Sequence, residues 1–586
     1  MSLRLRSCLS VLALVAAAGC SSSTSGSGTS SSDVRSVTNV EALSDFDQIA
    51  SSFRGLYGAM DRKQARYGFD FETIVKEYRD RVAASTTEAD YQGIFQEFIA
   101  RFEDAHVSLY GKIDSDDAHS LSLPFEVMPV EDTYVIYQVG KTFNAAQVGE
   151  ELLAIDGVTT KDLYTQLAKY QGIPNPLAKK HFVASNFTYR PSYMVKGIDP
   201  ATPAKLSIRG VDGTVREVSI PWTNTPNLVK RADLKALAPV PAGGQSGPDT
   251  ASSTSTKTMD LVRAELNKQG DRVPFFMTDA VNAALGITGE VKPSPAALVN
   301  QALAAQNAVD LDFYAVKYFT NGKKVLLVRL PDYSPKDPAN AIKYLKALFE
   351  DNLDSVDALV FDEGHNPGGN IAYAVNVLSL LAKKEINGYV QQMHADRLWL
   401  SSYAYWANYD SRPDYRSAFL GYTHSIDDAY SNGRSLSGPI PFYRKTNTIA
   451  PDANHWTKPV MMIHDSLSVS CADLVPLLFK TNKMGQTFGE TTMGGGGSVE
   501  EVANLVNTQG ALSISRGVGT VFDPTGAYPE ENVIEDNGVA PTAPYAQTLA
   551  DYRAGYVGYV AAFNKVLTTQ IATEAAAAAP APAAQP

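Results

Sequence analysis

One stretch, residues 458–500, constrains the fold of this chain more than any other. It begins with an apolar run at 459–463 that is short enough to be a buried strand. A polar corner follows, and then apolar residues recur at helical spacing, so a strand is predicted to turn into a helix near Ser470. The first N–H groups of a helix have no partner within it, and the helix dipole adds partial positive charge there. Ser470 is therefore either a nucleophile whose oxyanion meets these donors or an ordinary helix cap.

The beginning of the chain has the form of a bacterial export signal. Two arginines precede an apolar stretch at 9–18, and small residues follow. Residues 17–20 resemble a lipobox, with Ala17 where leucine is more usual, and this resemblance implies that Cys20 becomes the lipidated first residue. The alternative is an ordinary cleaved signal peptide with a chance cysteine. Ser21 in place of an acidic residue favours the outer membrane. We therefore expect a lipid-anchored protein of the cell envelope that faces the periplasm or the cell surface.

Composition and charge exclude several kinds of partner and site. Of the three cysteines, Cys471 alone lies beyond the signal region, so no disulfide within the mature chain is expected. The net charge of −12 argues against nucleic acid as a partner. No second apolar run is long enough to cross a bilayer, so the lipid is the only membrane contact expected. The eight histidines are scattered without the close ligand spacing of a structural zinc site, and no metal or cofactor is predicted.

The first half of the chain changes from a helical pattern to a β pattern. Residues 40 to about 115 read as helical, and they close on a segment that contains His106; a lone histidine in such a place is more often structural. From 122 to 222, short alternating strands are predicted at 125–127, 134–137, 205–208 and 215–218. The run at 148–158 ends in an Asp-Gly turn before a predicted helix at 161–170. It resembles the signature of PDZ domains, which bind extended peptides by strand addition.

The second half reads as an α/β domain that follows a low-complexity segment. Residues 223–308 are rich in Ala, Pro, Ser, Thr, Gly and Asn, and we interpret them as a linker or insertion with helices at 260–268 and 295–306. A strand, a helix and a second strand are then predicted, at 325–330, 338–349 and 358–362. The glycine-rich turn at 362–370 has neither GxGxxG nor a Walker lysine, so it does not fit a nucleotide site. Its other use is an oxyanion hole, in which glycines let the backbone approach a substrate.

Taken in order, these features resemble the tail-specific (C-terminal processing) serine peptidases and their tricorn and retinoid-binding-protein relatives. Residues 362–370 are similar to the family's D-L-R-x-N-P-G-G-N turn, without its leucine and arginine. Residues 468–473 are similar to S-A-S-A-S-E, whose second serine is the nucleophile. That serine maps to Ser470, and Asp473 stands in the place of the glutamate. Residues 489–494 are similar to G-E-x-T-x-G.

The resemblance implies a multi-domain α/β fold. It covers most of the chain from about 45 to 545, apart from the low-complexity segment. The implied fold combines a helical N-terminal part, a small PDZ-like β module and a crotonase-like (ClpP-like) α/β core. The expected division of the chain is a signal peptide at 1–20, a flexible tether at 21–39, a helical domain at 40–118, a PDZ-like domain at 119–222, a linker or insertion at 223–308, the peptidase core at 309–548, and a terminal helix with a disordered Ala/Pro tail at 549–586.

One departure decides which branch of the family this chain is similar to. In the tail-specific branch a lysine after the last motif is the general base, with a glutamine four residues on, but this chain has Gly495 and Val499 there. The tricorn-like branch instead uses a histidine from the helical part and a late glutamate. The resemblance assigns these roles to His106 and to Glu535, which precedes a G-V-x-P sequence. That branch usually has serine before the histidine, where this chain has Ala105.

These assignments imply the parts of an acyl-transfer site. Ser470 would attack the substrate carbonyl, His106 would take and return the proton, and Glu535 would orient the imidazole ring. His365 and His464 lie near the same loops in the sequence and are alternative bases. The oxyanion would be held by backbone N–H groups at the glycine turn and the helix start, which belong to Gly368, Gly369 and Cys471.

The sequence therefore predicts an exported, lipid-anchored serine endopeptidase whose PDZ-like module presents or gates a polypeptide substrate. The main alternative is a catalytically inactive ligand- or peptide-binding protein on the same scaffold, because the retinoid-binding relatives serve as ligand carriers. The missing lysine and the altered D-L-R motif are consistent with that alternative. A hydrolase of a non-peptide ester or amide is the other possibility.

Overall fold

Four helices at the start of the described chain pack around a cluster of aromatic rings. The computed structural model describes residues 37–111, 119–140, 143–224, 272–293, 313–442 and 446–578. The helices are α1 (Asn39–Leu56), α2 (Met60–Tyr67), α3 (Phe71–Ala83) and α4 (Glu88–Ala100). Three of them begin at a side chain that accepts a backbone N–H of the first turn, namely Thr38, Asp70 and Thr87. In the interior, Phe53 stacks on Phe102 with ring centroids 4.1 Å apart.

The helical segment ends in a strand that the sequence did not predict. Strand β1 (Ser108–Gly111) pairs antiparallel with the strand Gly510–Ser515 in the second half of the chain. The expectation of helix is therefore wrong for residues 101–111, because pairing with a distant segment sets this backbone, and its last part, residues 112–115, lies outside the described residues. His106 lies in the turn between α4 and β1, so the pairing carries it to the core.

The second part of the chain is an antiparallel β module with two helices. Its elements are β2 (Leu121–Ser122), β3 (Phe125–Val130), β4 (Thr133–Val139), β5 (Glu151–Ile155), β6 (Val158–Thr159), α5 (Thr160–Leu167), α6 (Pro176–Thr188), β7 (Tyr189–Arg190), β8 (Ala204–Arg209) and β9 (Val215–Ile220). The main sheet has the order β3-β4-β5-β8-β9, and the four predicted strands are confirmed. Asp156 and Gly157 form the predicted tight turn, with φ of 52° and 77°. Helix α6 was not predicted.

The third part is an α/β domain. Its elements are α7 (Asp279–Leu285), β10 (Tyr314–Thr320), β11 (Lys323–Arg329), α8 (Pro338–Leu353), β12 (Ala358–Asp362), α9 (Ile371–Leu381), β13 (Ile386–Asn387), β14 (Tyr389–Met393), α10 (Arg397–Tyr409), α11 (Pro413–Ser431), β15 (Ile440–Pro441), β16 (Thr448–Ile449), β17 (Val460–His464), α12 (Cys471–Thr481), β18 (Gln486–Gly489), β19 (Val499–Asn504), β20 (Gly510–Ser515), β21 (Gly517–Val521), β22 (Ala543–Pro544), α13 (Leu549–Arg553) and α14 (Val557–Ala578).

A six-stranded sheet with the order β10-β11-β12-β17-β18-β22 forms the centre of this domain. Within this sheet, the neighbours β11, β12, β17, β18 and β22 run parallel to one another. Strand β10 is antiparallel to β11. Successive residues of β17 point to opposite faces, as strand geometry requires. Met462 belongs to the apolar cluster that contains residues of α8, α9 and α12, whereas Met461 belongs to the cluster built on α14. Both faces are therefore covered, which explains why the predicted strand at 459–463 is apolar throughout.

The carboxyl ends of β12 and β17 bring the two predicted motifs together. The strands are parallel neighbours, with Asp362 opposite Ile463. The glycine-rich turn at 362–370 and the corner before Ser470 therefore leave the same edge of the sheet. This is the edge at which open α/β sheets bind their ligands.

The segment interpreted as a linker contributes to the core in its described part, residues 272–293. Phe276 and Val281 are fully buried and pack in the same cluster as Tyr559 and Phe563 of α14. The helices predicted at 260–268 and 295–306 lie outside the described residues. The predicted terminal helix is confirmed as α13 and α14, and the Ala/Pro tail beyond residue 578 lies outside the described part. Among the described helices, none has the length and apolar composition that crossing a membrane requires.

We expect Phe53→Ala to reduce the free energy of unfolding by about 3–5 kcal/mol, because it opens a cavity in the aromatic cluster of the helical part. Phe53 is fully buried, whereas Phe319 on β10 is 60% exposed and provides the matched control. Urea unfolding of the full chain, followed by circular dichroism, measures both variants. Equal effects of Phe53→Ala and Phe319→Ala would show that this cluster does not hold the helical part together.

Candidate active site

Ser470 has a backbone conformation that an ordinary helix cap does not need. It is the residue before α12, with φ of 65° and ψ of −115°. Capping residues normally lie in the β region, and a non-glycine residue at positive φ costs about 1–3 kcal/mol. A residue held in such a conformation at the carboxyl edge of a parallel sheet is typical of a functional site. The predicted strand and helix on either side of Ser470 are both confirmed.

A single carboxylate holds the Ser470 turn in place. Asp473 accepts the N–H groups of Ser470 at 2.8 Å, Gly494 at 2.9 Å and Gly495 at 3.1 Å, and also the hydroxyl of Thr492. Burial raises the pKa of Asp473 to about 7, and the hydrogen bonds act in the opposite direction. The loop at 492–495 is thereby fixed against the start of α12. This is the residue that stands in place of the family's glutamate.

The glycine turn after β12 packs directly on Ser470. A Cβ atom on Gly368 would lie 2.6 Å from the Ser470 Cβ and 2.8 Å from the Cys471 nitrogen, and the φ of Gly368 is 84°. Only glycine fits such an approach. The Gly368 N–H donates to Asn366 Oδ1 at 2.8 Å, and the Cys471 Sγ donates to the Gly369 carbonyl oxygen at 3.1 Å. The structure therefore brings the predicted oxyanion residues, Gly368, Gly369 and Cys471, around Ser470.

His106 lies beside the same turn. A Cβ atom on Gly495 would be 3.3 Å from His106 Cε1, 2.9 Å from Val469 Cγ2 and 3.4 Å from Ala105 Cβ. Ala105 and Val469, which precede the histidine and the serine, belong to one buried apolar cluster. Neither ring nitrogen of His106 has a hydrogen-bond partner within the described ranges. Burial lowers the pKa of His106, the charge of Asp104 raises it and that of Lys63 lowers it.

Asp104 positions the His106 turn, and the sequence reasoning missed it. Its carboxylate accepts the His106 N–H at 2.8 Å, the Tyr57 hydroxyl at 2.8 Å and the Ser515 hydroxyl at 2.9 Å. Tyr57 belongs to the helical part and Ser515 to β20, so this carboxylate joins the two parts of the chain around the histidine. An aspartate two residues before His106 is the local signal that could have identified it, because such side chains fold back on nearby N–H groups.

Glu535 is held by a lysine from the helical part. Its carboxylate lies 2.6 Å from Lys63 Nζ, and its Oε2 accepts the Gly496 N–H at 3.2 Å. Both Glu535 and Lys63 are completely buried. Burial raises the pKa of Glu535 and the charge of Asp104 adds to this effect, whereas the ion pair with Lys63 opposes it. No hydrogen bond between Glu535 and His106 is present among the described residues. Lys63 carries no sequence signal, since it lies on a helix of largely polar residues.

The two alternative bases lie in other surroundings. His365 stacks on Phe275, and its Nε2 is 3.2 Å from Asp465 Oδ2, in a pocket that neither Ser470 nor His106 lines. Burial lowers the pKa of His365 to about 3. His464 is fully buried in β17, with Nδ1 2.9 Å from the Glu490 carbonyl oxygen, and burial lowers its pKa to about 4. The packing around Gly495 thus favours His106.

An arginine side chain contacts the turn at 362–370 even though the arginine of the D-L-R motif is missing. Gly364 stands where the family has arginine, but Arg329 of the neighbouring strand donates to the Gly364 carbonyl oxygen at 2.7 Å and to Asp362 Oδ2 at 3.1 Å. Glu363 is completely buried, and the Tyr333 hydroxyl donates to it at 2.5 Å. Among the described residues, no group of three or more His, Cys, Asp and Glu side chains is arranged to hold a metal ion.

Comparisons with known proteins agree with this architecture. Residues 324–544 match the model of peptidase family S41, and residues 119–231 match that of a PDZ domain. A protein of Chlamydia trachomatis is 24% identical over 575 residues, covering 90% of this chain and 91% of the relative. One of Chlamydia pneumoniae is 22% identical over 602 residues, covering 92% of each.

Solved structures of mature CPAF have a similar fold. One superposes with a TM-score of 0.68 at 19% identity and covers 92% of this chain and 98% of that chain. A second, complexed with lactacystin, has a TM-score of 0.67 at 20% identity and covers 91% and 99%. The predicted PDZ-like module and α/β peptidase core are thereby confirmed. The chain thus carries one segment that matches a PDZ domain and another that matches a peptidase family S41 domain, and this combination supports a serine-type peptidase.

Proposed function

We propose that this chain is a serine endopeptidase in which Ser470 is the nucleophile and His106 is the general base. The single observation that carries the proposal is the packing of two distant segments on Gly495. A Cβ atom on this glycine would lie within 3.4 Å of Val469 and Ala105, the residues immediately before the serine and the histidine, and of the imidazole ring itself. The PDZ domain presents or gates the polypeptide substrate.

The identity of residue 495 also supports a histidine base over a lysine base. In the tail-specific branch the lysine side chain would begin at this position. Here a side chain on Gly495 would meet both Val469 and the His106 ring. The imidazole therefore lies beside the space that the stem of a lysine would need, and the two kinds of base exclude each other.

The proposed reaction follows from these positions. The Ser470 oxygen attacks the scissile carbonyl carbon while its proton moves to His106, which burial keeps neutral at pH 7. The oxyanion accepts hydrogen bonds from backbone N–H groups around Gly369 and Cys471, at the positive end of α12. The Gly368 N–H would first have to exchange its present acceptor, Asn366. His106 then gives its proton to the leaving amine, and water hydrolyses the acyl-enzyme in a second round.

Glu535 is the proposed carboxylate that stabilises protonated His106. Support for this role comes from shared surroundings, since the charges of Lys63 and Asp104 act on both the glutamate and the histidine. Lys63 and the Gly496 N–H hold Glu535 in one orientation. In this arrangement Asp104 sets the position of the His106 backbone, and Glu535, kept ionised by its buried contact with Lys63, supplies negative charge to the site.

We expect Ser470→Ala and His106→Ala each to lower the rate of hydrolysis of an unfolded polypeptide such as casein by roughly 10³-fold or more, because each removes one member of a single catalytic unit. Release of peptides by purified protein measures the rate. Ser401→Ala and His424→Ala are matched controls, because both residues are exposed on α10 and α11, helices that carry none of the proposed site residues. Full hydrolysis by His106→Ala would contradict the assignment of the base, and absence of hydrolysis by the folded wild type would favour a binding protein.

The pH dependence of kcat/KM should show an acidic limb centred below pH 6.5. His106 acts as a base only when it is neutral, and burial lowers its pKa from the ordinary value of 6.5, so protonation requires a lower pH than usual. The rate therefore falls on the acidic side of that midpoint, where His106 becomes protonated. A midpoint above pH 7 for this limb would be inconsistent with a buried histidine as the base.

We also propose that Cys20 carries a lipid that anchors the protein in the cell envelope, in the outer membrane. Residues 1–36 lie outside the described residues, so the support comes from the sequence pattern alone. In a bacterial host grown with labelled palmitate, the wild type should incorporate the label and Cys20→Ala should not. Cys8→Ala, within the same signal region, should be labelled like the wild type. Equal labelling of Cys20→Ala and Cys8→Ala would eliminate the anchor.

A further inference from the structure

An acidic side chain, that of Glu363, is buried at the start of the glycine turn at 362–370, where the family's D-L-R motif has leucine. Its Oε2 accepts the Tyr333 hydroxyl at 2.5 Å, and its Oε1 has no hydrogen-bond partner among the described residues. Its backbone carbonyl oxygen accepts the Ser468 hydroxyl at 2.9 Å, so the residue also contacts the loop that leads to the nucleophile. Burying a carboxyl group with incomplete hydrogen bonding is costly, whereas burying leucine is not. Packing therefore does not explain the acid.

Glu363 has no counter-charge. Burial raises its pKa well above the ordinary value, the Tyr333 hydrogen bond opposes this effect, and the charges of Asp362 and Asp473 add to it. No ion pair to Glu363 forms in the described part of the chain, and Arg329 pairs with Asp362 instead, at 3.1 Å. Such surroundings favour the neutral carboxyl form. The group therefore acts through its hydrogen bond to Tyr333 and not through charge.

Tyr333 links this acid to the oxyanion turn. Its N–H donates to the Gly368 carbonyl oxygen at 2.9 Å, and its carbonyl oxygen accepts the Asn370 N–H at 2.8 Å. These two bonds form an isolated parallel bridge between Tyr333 and Gly369, outside any strand. A Cβ atom on Gly369 would lie 2.6 Å from the Tyr333 carbonyl carbon, so the two backbones are in close contact. Because the bridge has no neighbouring rungs, the anchored side chain of Tyr333 is what fixes its backbone.

We propose that Glu363 is a positioning residue for the oxyanion hole beside Ser470. It holds the Tyr333 hydroxyl, and the Tyr333 backbone in turn holds the peptide between Gly368 and Gly369. The inference rests on the proposed function, in which N–H groups of this turn stabilise the oxyanion. Because those donors act on the transition state, their placement determines the rate of the chemical step more than it determines substrate binding.

Steady-state hydrolysis of casein by the full-length protein tests the proposal. Glu363→Leu removes the acceptor of the Tyr333 hydroxyl and restores the family's residue. It should lower kcat by about 10-fold or more with KM nearly unchanged, because the misplaced donors affect the transition state. Glu363→Gln should keep kcat within about 3-fold of the wild type, since its amide oxygen accepts the same hydroxyl.

Tyr333→Phe removes the other half of the same hydrogen bond and should lower kcat by a similar factor. Combining it with Glu363→Leu should cause no further loss, because both substitutions break one link. Tyr318→Phe is the matched control and should keep the kcat of the wild type. Tyr318 is 5% exposed, and its hydroxyl donates to Asn564 at 2.8 Å in the cluster built on α14.

A second measurement does not depend on catalysis. Amide hydrogen exchange of a peptide that contains residues 362–370 is followed by mass spectrometry. Exchange should be faster in Glu363→Leu and in Tyr333→Phe than in the wild type, because the Asn370 N–H loses its fixed acceptor. It should be unchanged in Glu363→Gln and in Tyr318→Phe.

Three kinetic results would overturn the proposal. They are an unchanged kcat in folded Glu363→Leu or Tyr333→Phe, a loss in Glu363→Gln as large as that in Glu363→Leu, and losses that multiply when the two substitutions are combined. Absence of hydrolysis by the folded wild type would contradict the proposed function instead. Hydrogen exchange then decides the inference: equal exchange of residues 362–370 in all variants overturns it, and faster exchange in Glu363→Leu and Tyr333→Phe supports the positioning of the turn.

Discussion

The buried carboxylate of Asp473 is the interaction on which the proposed site depends. It accepts the N–H of Ser470 and thereby holds the start of α12 in its positive-φ conformation. The same carboxylate accepts the Gly495 N–H, and Gly495 packs against His106. It also binds the hydroxyl of Thr492, whose oxygen accepts the Val539 N–H and so fixes the turn that follows Glu535. One acidic residue therefore joins the proposed nucleophile, the loop beside the base and the turn of the proposed carboxylate.

The site is shared between the helical part and the α/β domain. Pairing of β1 with β20 carries His106 to the core, and Asp104 fixes its turn through Tyr57 and Ser515. Lys63 of α2 makes a buried ion pair with Glu535, so the carboxylate also depends on the helical part. Since breaking a buried ion pair leaves an uncompensated charge, separation of the two parts is costly. The helical part is thus a component of the proposed active site as well as a structural support.

Local patterns in the sequence were enough to predict the strands, the helix and the glycine turn that surround Ser470, because each of these elements is determined by residues that are neighbours in the sequence. The β module was predictable for the same reason, through its alternating strands and its turn at Asp156. Contacts between distant segments were not predictable from one sequence. Lys63 lies among the polar residues of α2, and only the folded chain buries it against Glu535.

The central claim is that His106 activates Ser470, and site-mapped covalent labelling tests it most directly. The full-length protein is treated with a fluorophosphonate probe, and mass spectrometry identifies the modified residue and its rate of labelling. We predict modification of Ser470 in the wild type, at a rate that falls by roughly 10²-fold or more in His106→Ala and is unchanged in His424→Ala. Labelling of a different serine, or an unchanged rate in His106→Ala with a loss in His365→Ala, would contradict the account.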